Sequence, residues 1–146
     1  MHKPILVGSS IIVGGLLIWL IVLNLGIGLQ DQTYPVDDGA KGFETKSTGT
    51  TAMGDVAIQL SPHGVNDGKM KVDVSIDTHS VELGDFDLKE ITTLHIAGKK
   101  FKPVEASGLS GHHASGMMVF DINVDPDEFT IVIEGIPEQH ERRYVW

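Results

Sequence analysis

Residues 5–29 carry no charged side chain and are mostly apolar, between Lys3 and Asp31. At the α-helical rise of about 1.5 Å per residue, such a run outreaches the roughly 30 Å hydrocarbon core of a bilayer. The run reads as a transmembrane signal-anchor helix, so residues 1–30 are expected to be a cytoplasmic stub plus anchor. A cleaved secretory leader is the competing reading. Gly26 and Gly28 are small enough for cleavage, but Asn24-Leu25-Gly26-Ile27-Gly28-Leu29-Gln30 offers no A-x-A-like site. No cysteine follows the run, which excludes a lipid-anchored lipoprotein. Orientation rests on Lys3 and the N-terminal amine, because the rule counts positive charges. The expected localisation is therefore the cell membrane, single-pass, with the N-terminus cytoplasmic and everything after residue 30 extracytoplasmic.

Residues 31–146 are the size of one ordinary domain, large enough to bury a core without covalent staples. All 20 acidic residues and all but one of the 11 Lys and Arg lie in this part, with no Lys/Arg-rich run. An acidic domain without clustered cations is not built to neutralise phosphates, so no nucleic-acid partner is expected. The absence of cysteine excludes disulfides, iron–sulfur clusters, thiolate zinc sites and any copper centre that needs a Cys ligand.

Residues 31–54 are polar and turn-rich, with apolar residues at no regular spacing, and read as a linker that Tyr34 and Phe43 could pin in places. From residue 55 the period becomes two. Val56, Ile58 and Leu60 share one parity, and Val72, Val74 and Ile76 alternate with Lys71, Asp73, Ser75 and Asp77. Ser61-Pro62-His63-Gly64-Val65-Asn66-Asp67-Gly68 between them reads as turn chemistry, joining the two strands as a hairpin. Leu94 and Ile96 before Ala97-Gly98-Lys99, with Phe101 and Val104 after it, suggest a second hairpin. Met118, Phe120, Ile122 and Val124 share a parity, Asp125-Pro126-Asp127 turns the chain into Phe129, Ile131 and Ile133, and Tyr144 and Trp146 close a last strand. Leu88 and Ile91 allow one helical turn in the middle. Short strands with turn signals between them predict an all-β fold: an antiparallel β-sandwich, immunoglobulin-like or cupredoxin-like, over residues 55–146.

The chain has no G-x-S-x-G elbow, phosphate-cradling glycine loop, H-E-x-x-H or dinucleotide fingerprint, so no enzyme is expected. Histidine stands out instead. Of 7 histidines, His63, His79, His95, His112 and His113 fall within the expected sandwich. Gly111-His112-His113-Ala114-Ser115-Gly116-Met117-Met118 combines imidazoles, which suit copper and zinc, with thioethers, which suit Cu(I). Parity turns Met118 inward and Met117 outward, making Met117 the better ligand. The expected metal set is His79, His112, His113 and Met117, holding copper or zinc. The plainer readings are that His79 in Thr78-His79-Ser80 fixes a turn, His95 is a solvated strand residue and Met118 fills the core. Asp85 with Asp87, and Asp125 with Asp127, lack a calcium-loop pattern and read as turn or cap residues.

The stretches Asp77-Thr78-His79-Ser80-Val81-Glu82-Leu83, Phe101-x-Pro103, Gly111-His112-His113-x-x-Gly116, Phe120, Gly135-Ile136-Pro137 and Glu141-Arg142-x-Tyr144-x-Trp146 resemble an uncharacterised prokaryotic extracytoplasmic β-sandwich domain. The resemblance covers about residues 70–146 and brings no activity with it. It implies that the Thr-His-Ser and Gly-His-His elements belong together. In such domains a basic residue often replaces Ala114, and an aliphatic one Met117 or Met118, which leaves the thioether to this chain and not to the family. The expected function is a membrane-anchored extracytoplasmic binding module with a histidine-lined metal site. The alternative is a non-catalytic accessory or interaction subunit of a membrane protein complex.

Overall fold

The alternation that starts at residue 55 produces strands whose inward residues are stripped of water. In the structure, a computed structural model that describes residues 42–146, nine strands form. They are β1 (Lys46–Thr48), β2 (Ala57–Asn66), β3 (Lys69–Asp77), β4 (Thr92–Ile96), β5 (Lys99–Phe101), β6 (Glu105–Ala106), β7 (His113–Asp121), β8 (Thr130–Glu134) and β9 (Glu141–Val145). A single 3-10 turn, Leu83–Asp85, and the four-residue helix α1, Leu88–Ile91, lie between β3 and β4. Asp87 caps α1 by accepting from the Lys89 N–H at 2.9 Å.

The strands make two sheets, one five-stranded in the order β1-β2-β3-β7-β6 and one four-stranded in the order β5-β4-β8-β9, each strand antiparallel to its neighbours. Ile58, Leu60, Met70, Val72, Val74, Ile76, Met118 and Phe120 from the first sheet meet Leu94, Ile131, Ile133 and Tyr144 from the second in one buried cluster. Met118 is inside and Met117 outside, as parity requires. The β-sandwich expected from alternation is present.

The first hairpin is longer than its sequence suggests. β2 continues through Pro62 to Asn66, and only Asp67 (φ 51°) and Gly68 (φ 74°) turn, a two-residue loop with both φ positive. Proline is tolerated because the Pro62 carbonyl accepts from the Phe43 N–H at 3.2 Å, on the side where β1 has already ended. Its missing N–H therefore costs no ladder bond. His63-Gly64 is absorbed by a register shift between Pro62 and Val65. Val124, expected inward, is 67 % exposed, because β7 ends at Asp121 and releases the parity.

Residues 42–54, inside the stretch expected as linker, are tied to the sandwich. Phe43 packs edge-on against Phe129 at 4.9 Å, Trp146 Nε1 donates to the Glu44 carbonyl at 2.6 Å, and β1 pairs with β2.

The expected anchor over residues 5–29 lies outside the described residues. Among the described residues no helix is long and apolar enough to cross a membrane; α1, the longest, has four residues. The expectations of a transmembrane tether, a single-pass cell-membrane localisation with an extracytoplasmic domain, and partners reached through the membrane are corrected accordingly. What the structure shows is an all-β two-sheet domain.

Candidate functional site

Antiparallel register across β2, β3 and β7 sets the outward side chains in rows. Asp77 stands between Ala57 and His113, Ser75 between Gln59 and Ser115, and Asp73 between Ser61 and Met117. The middle row is made of small or hydrogen-bonding groups, so the outer face dips there into a hollow of about 450 Å³ lined by Gln59, Ser61, Asp73, Ser75, Ser115 and Gly116. A second hollow of about 270 Å³, lined by His63, Asn66, Lys69, Lys71 and Met117, shares Asp73 with the first. Together they form one furrow of mixed polar and apolar lining on the outer face of the five-stranded sheet.

Side chains along this face bond one another across the strands. His63 Nε2 bonds Asp73 Oδ2 at 2.8 Å, His113 Nδ1 bonds Asp77 Oδ1 at 2.8 Å, and Lys69 Nζ donates to Asp121 Oδ1 at 2.9 Å. The Asp121 hydrogen bond, reinforced by its charge, holds the Lys69 ammonium above its ordinary pKa. Ser75 Oγ donates to Asp77 Oδ2 at 3.4 Å, so this serine leans on the carboxylate and not on the His113 imidazole. A nucleophile needs the opposite order, serine on imidazole and imidazole on carboxylate.

The four expected metal ligands are only partly brought together. The Thr78 N–H donates to the His112 carbonyl at 2.9 Å, so Thr-His-Ser and Gly-His-His do meet, and the His79 and His113 rings lie perpendicular with centroids 6.2 Å apart. His113 bonds Asp77 through Nδ1, which leaves its Nε2, and His112 joins through its backbone. Met117 lies four residues along β7 from His113, about 13 Å at strand rise, whereas ligands of one ion lie about 2 Å from it. Among the described residues no group of three or more His, Asp or Glu is placed to hold a metal. The expected function as a histidine-lined metal module, with copper or zinc on His79, His112, His113 and Met117, is therefore corrected: no metal-holding group forms among the described residues, and the extended strand separates His113 from Met117.

Gln59, Ser75, Ser115 and Asp73 were not legible as a site. Their outward parity was, but which parities align depends on register. A third hollow, about 310 Å³ and lined by Ile96, Phe101, Ile122 and Val124, lies at the β4–β5 turn and carries none of the paired imidazoles. Comparison with protein-family models, with curated proteins and with solved structures finds no match for this chain.

Proposed function

We propose that this domain is a non-catalytic binding module that takes a neutral, hydroxyl-rich ligand, such as a carbohydrate, on the outer face of its five-stranded sheet. The observation that carries the reading is the continuous furrow in which Asp73 is common to both hollows. Asp73 and Lys69, which line it, already bond His63 and Asp121, so an ionic ligand would have to displace these partners. Hydroxyl, amide and carboxylate groups that donate or accept in several directions suit a ligand rich in O–H groups. They sit on strands paired on both sides, which holds them at low cost in ordering entropy. The serine–carboxylate–imidazole order favours binding over nucleophilic chemistry.

The test is saturable binding of the full chain to an immobilised panel of neutral oligosaccharides. Ser115→Tyr keeps a good strand former while filling the furrow, and is expected to weaken binding at least about tenfold. Absence of saturable binding across the panel, or binding that Ser115→Tyr leaves intact, overturns the reading.

A further inference from the structure

We propose that the outer edge of β9, unpaired among the described residues, is a self-complementary docking edge through which two copies of this chain associate, weakly and reversibly, by antiparallel β9–β9 pairing. Phe129 and Trp146 exchange both backbone bonds, at 3.0 and 2.9 Å. Alternation along β8–β9 then gives the next bonded pairs as Ile131 with Tyr144 and Ile133 with Arg142. The N–H and C=O groups of Glu141, Arg143 and Val145 consequently point away from β8. They have no backbone partner among the described residues.

The edges differ in how they treat a second copy. β6 and β1 are two and three residues long, too short to template much. β5 presents Lys99 and Lys100, both exposed, so a copy approaching it meets like charge. β9 instead carries Glu141 and Arg143, opposite charges two residues apart on one face, already bonded to each other at 2.6 Å.

Electrostatics selects the register. A two-fold axis at Arg143 would set that residue against the partner's Arg143, and like charges directly opposite are destabilising. An axis at Arg142 sets Glu141 opposite the partner's Arg143 and Arg143 opposite the partner's Glu141, with the outward backbone groups of both residues bonding reciprocally. The four charges then alternate in a closed square. The two Arg142 backbones become neighbours, but each guanidinium points into its own core, where Asp55 neutralises it at 3.1 Å. The two four-stranded sheets become one continuous sheet, an isologous pairing that closes on itself.

Sedimentation equilibrium of the full chain from about 1 μM to about 1 mM tests this. The wild-type chain is expected to dimerise. Glu141→Arg alone and Arg143→Glu alone set like charges opposite and are expected to weaken the dimer at least about tenfold. Glu141→Arg combined with Arg143→Glu rebuilds the square with its signs exchanged and is expected to restore it. Both side chains are exposed, so unchanged far-UV circular dichroism serves as the folding control. A wild-type chain monomeric throughout, a single reversal without effect, or a double reversal that fails to restore association overturns the proposal.

Discussion

Arg142 is buried in the β9 strand and works as a hub for backbone oxygens. Its Nη1 donates to the carbonyls of Ile136 and Gln139, and its Nη2 to Asp55 Oδ1 and to the carbonyls of Val56 and Pro137. A buried cation is tolerable only with such a shell, and removing it strands the acceptors and Asp55 together. Arg142→Ala is therefore expected to cost about 3–5 kcal/mol, read as a lower midpoint in urea. Ala97 carries the opposite kind of signature. With φ of 48° before Gly98 at 76°, it occupies the first position of a two-residue turn that demands left-handed backbone from both residues. Alanine is strained there and asparagine much less so. Ala97→Asn is expected to raise stability by about 0.5–1 kcal/mol in the same titration.

At the scale of elements, β6 depends on a missing side chain. Ser107, just past β6, donates its N–H to the Met117 carbonyl at 2.9 Å and accepts from the Met117 N–H through Oγ at 3.0 Å. A Cβ on Gly116 would land on the Ser107 side chain. Gly116→Ala is thus expected to destabilise by about 1–3 kcal/mol and to loosen the β6 edge, seen as faster amide exchange at Ser107. Ser107→Gly in the same chain should recover part of that loss, since it empties the space; a double-mutant cycle with no coupling would show that the contact is not the cause. The 43–48 strap, by contrast, ties the two sheets to each other. Lys46 lies 5.7 Å over the Trp146 ring, which itself stacks on Phe129 at 5.0 Å, and Thr48 Oγ1 meets the Tyr144 hydroxyl at 2.7 Å.

For the whole molecule, these contacts set the pH range of stability. The Asp55 carboxyl lies below its ordinary pKa because the Val56 N–H bonds it, against the opposing effect of burial and with help from Thr50 and Arg142. Its folded pKa is depressed, so its contribution is complete above the unfolded value of about 3.9 and is lost as pH falls through the lower folded one. Tyr144 is shifted the other way: burial pushes the phenol up, opposed by Thr48 and Arg142. That contribution is complete below about pH 10 and disappears as pH rises through the higher folded value. Thermal melts across pH should accordingly weaken at both ends. Asp55→Asn is expected to flatten the acid limb and Tyr144→Phe the alkaline one; limbs unchanged in these variants would assign the titrations elsewhere.

The all-β class and the inward parities of Val56, Met118, Phe120 and Ile131 could be read directly from the chain, because a pleat repeats every two residues whatever the strand pairs with. Helical capability around Leu88 and Ile91 was equally local, and α1 forms there. The end of β2 was not local: Pro62, His63 and Gly64 look like a turn until the end of β1 removes the ladder carbonyl that an N–H at position 62 would have met. Nor was the site. His112 and His113 are adjacent in the chain and Met117 follows closely, yet the extended strand draws His113 and Met117 apart, while Asp73 and Asp77 reach the histidines by cross-strand pairing. Periodicity is a property of the backbone and is written into a segment; proximity between strands is set by register, and register exists only once the sheets have closed over a common core.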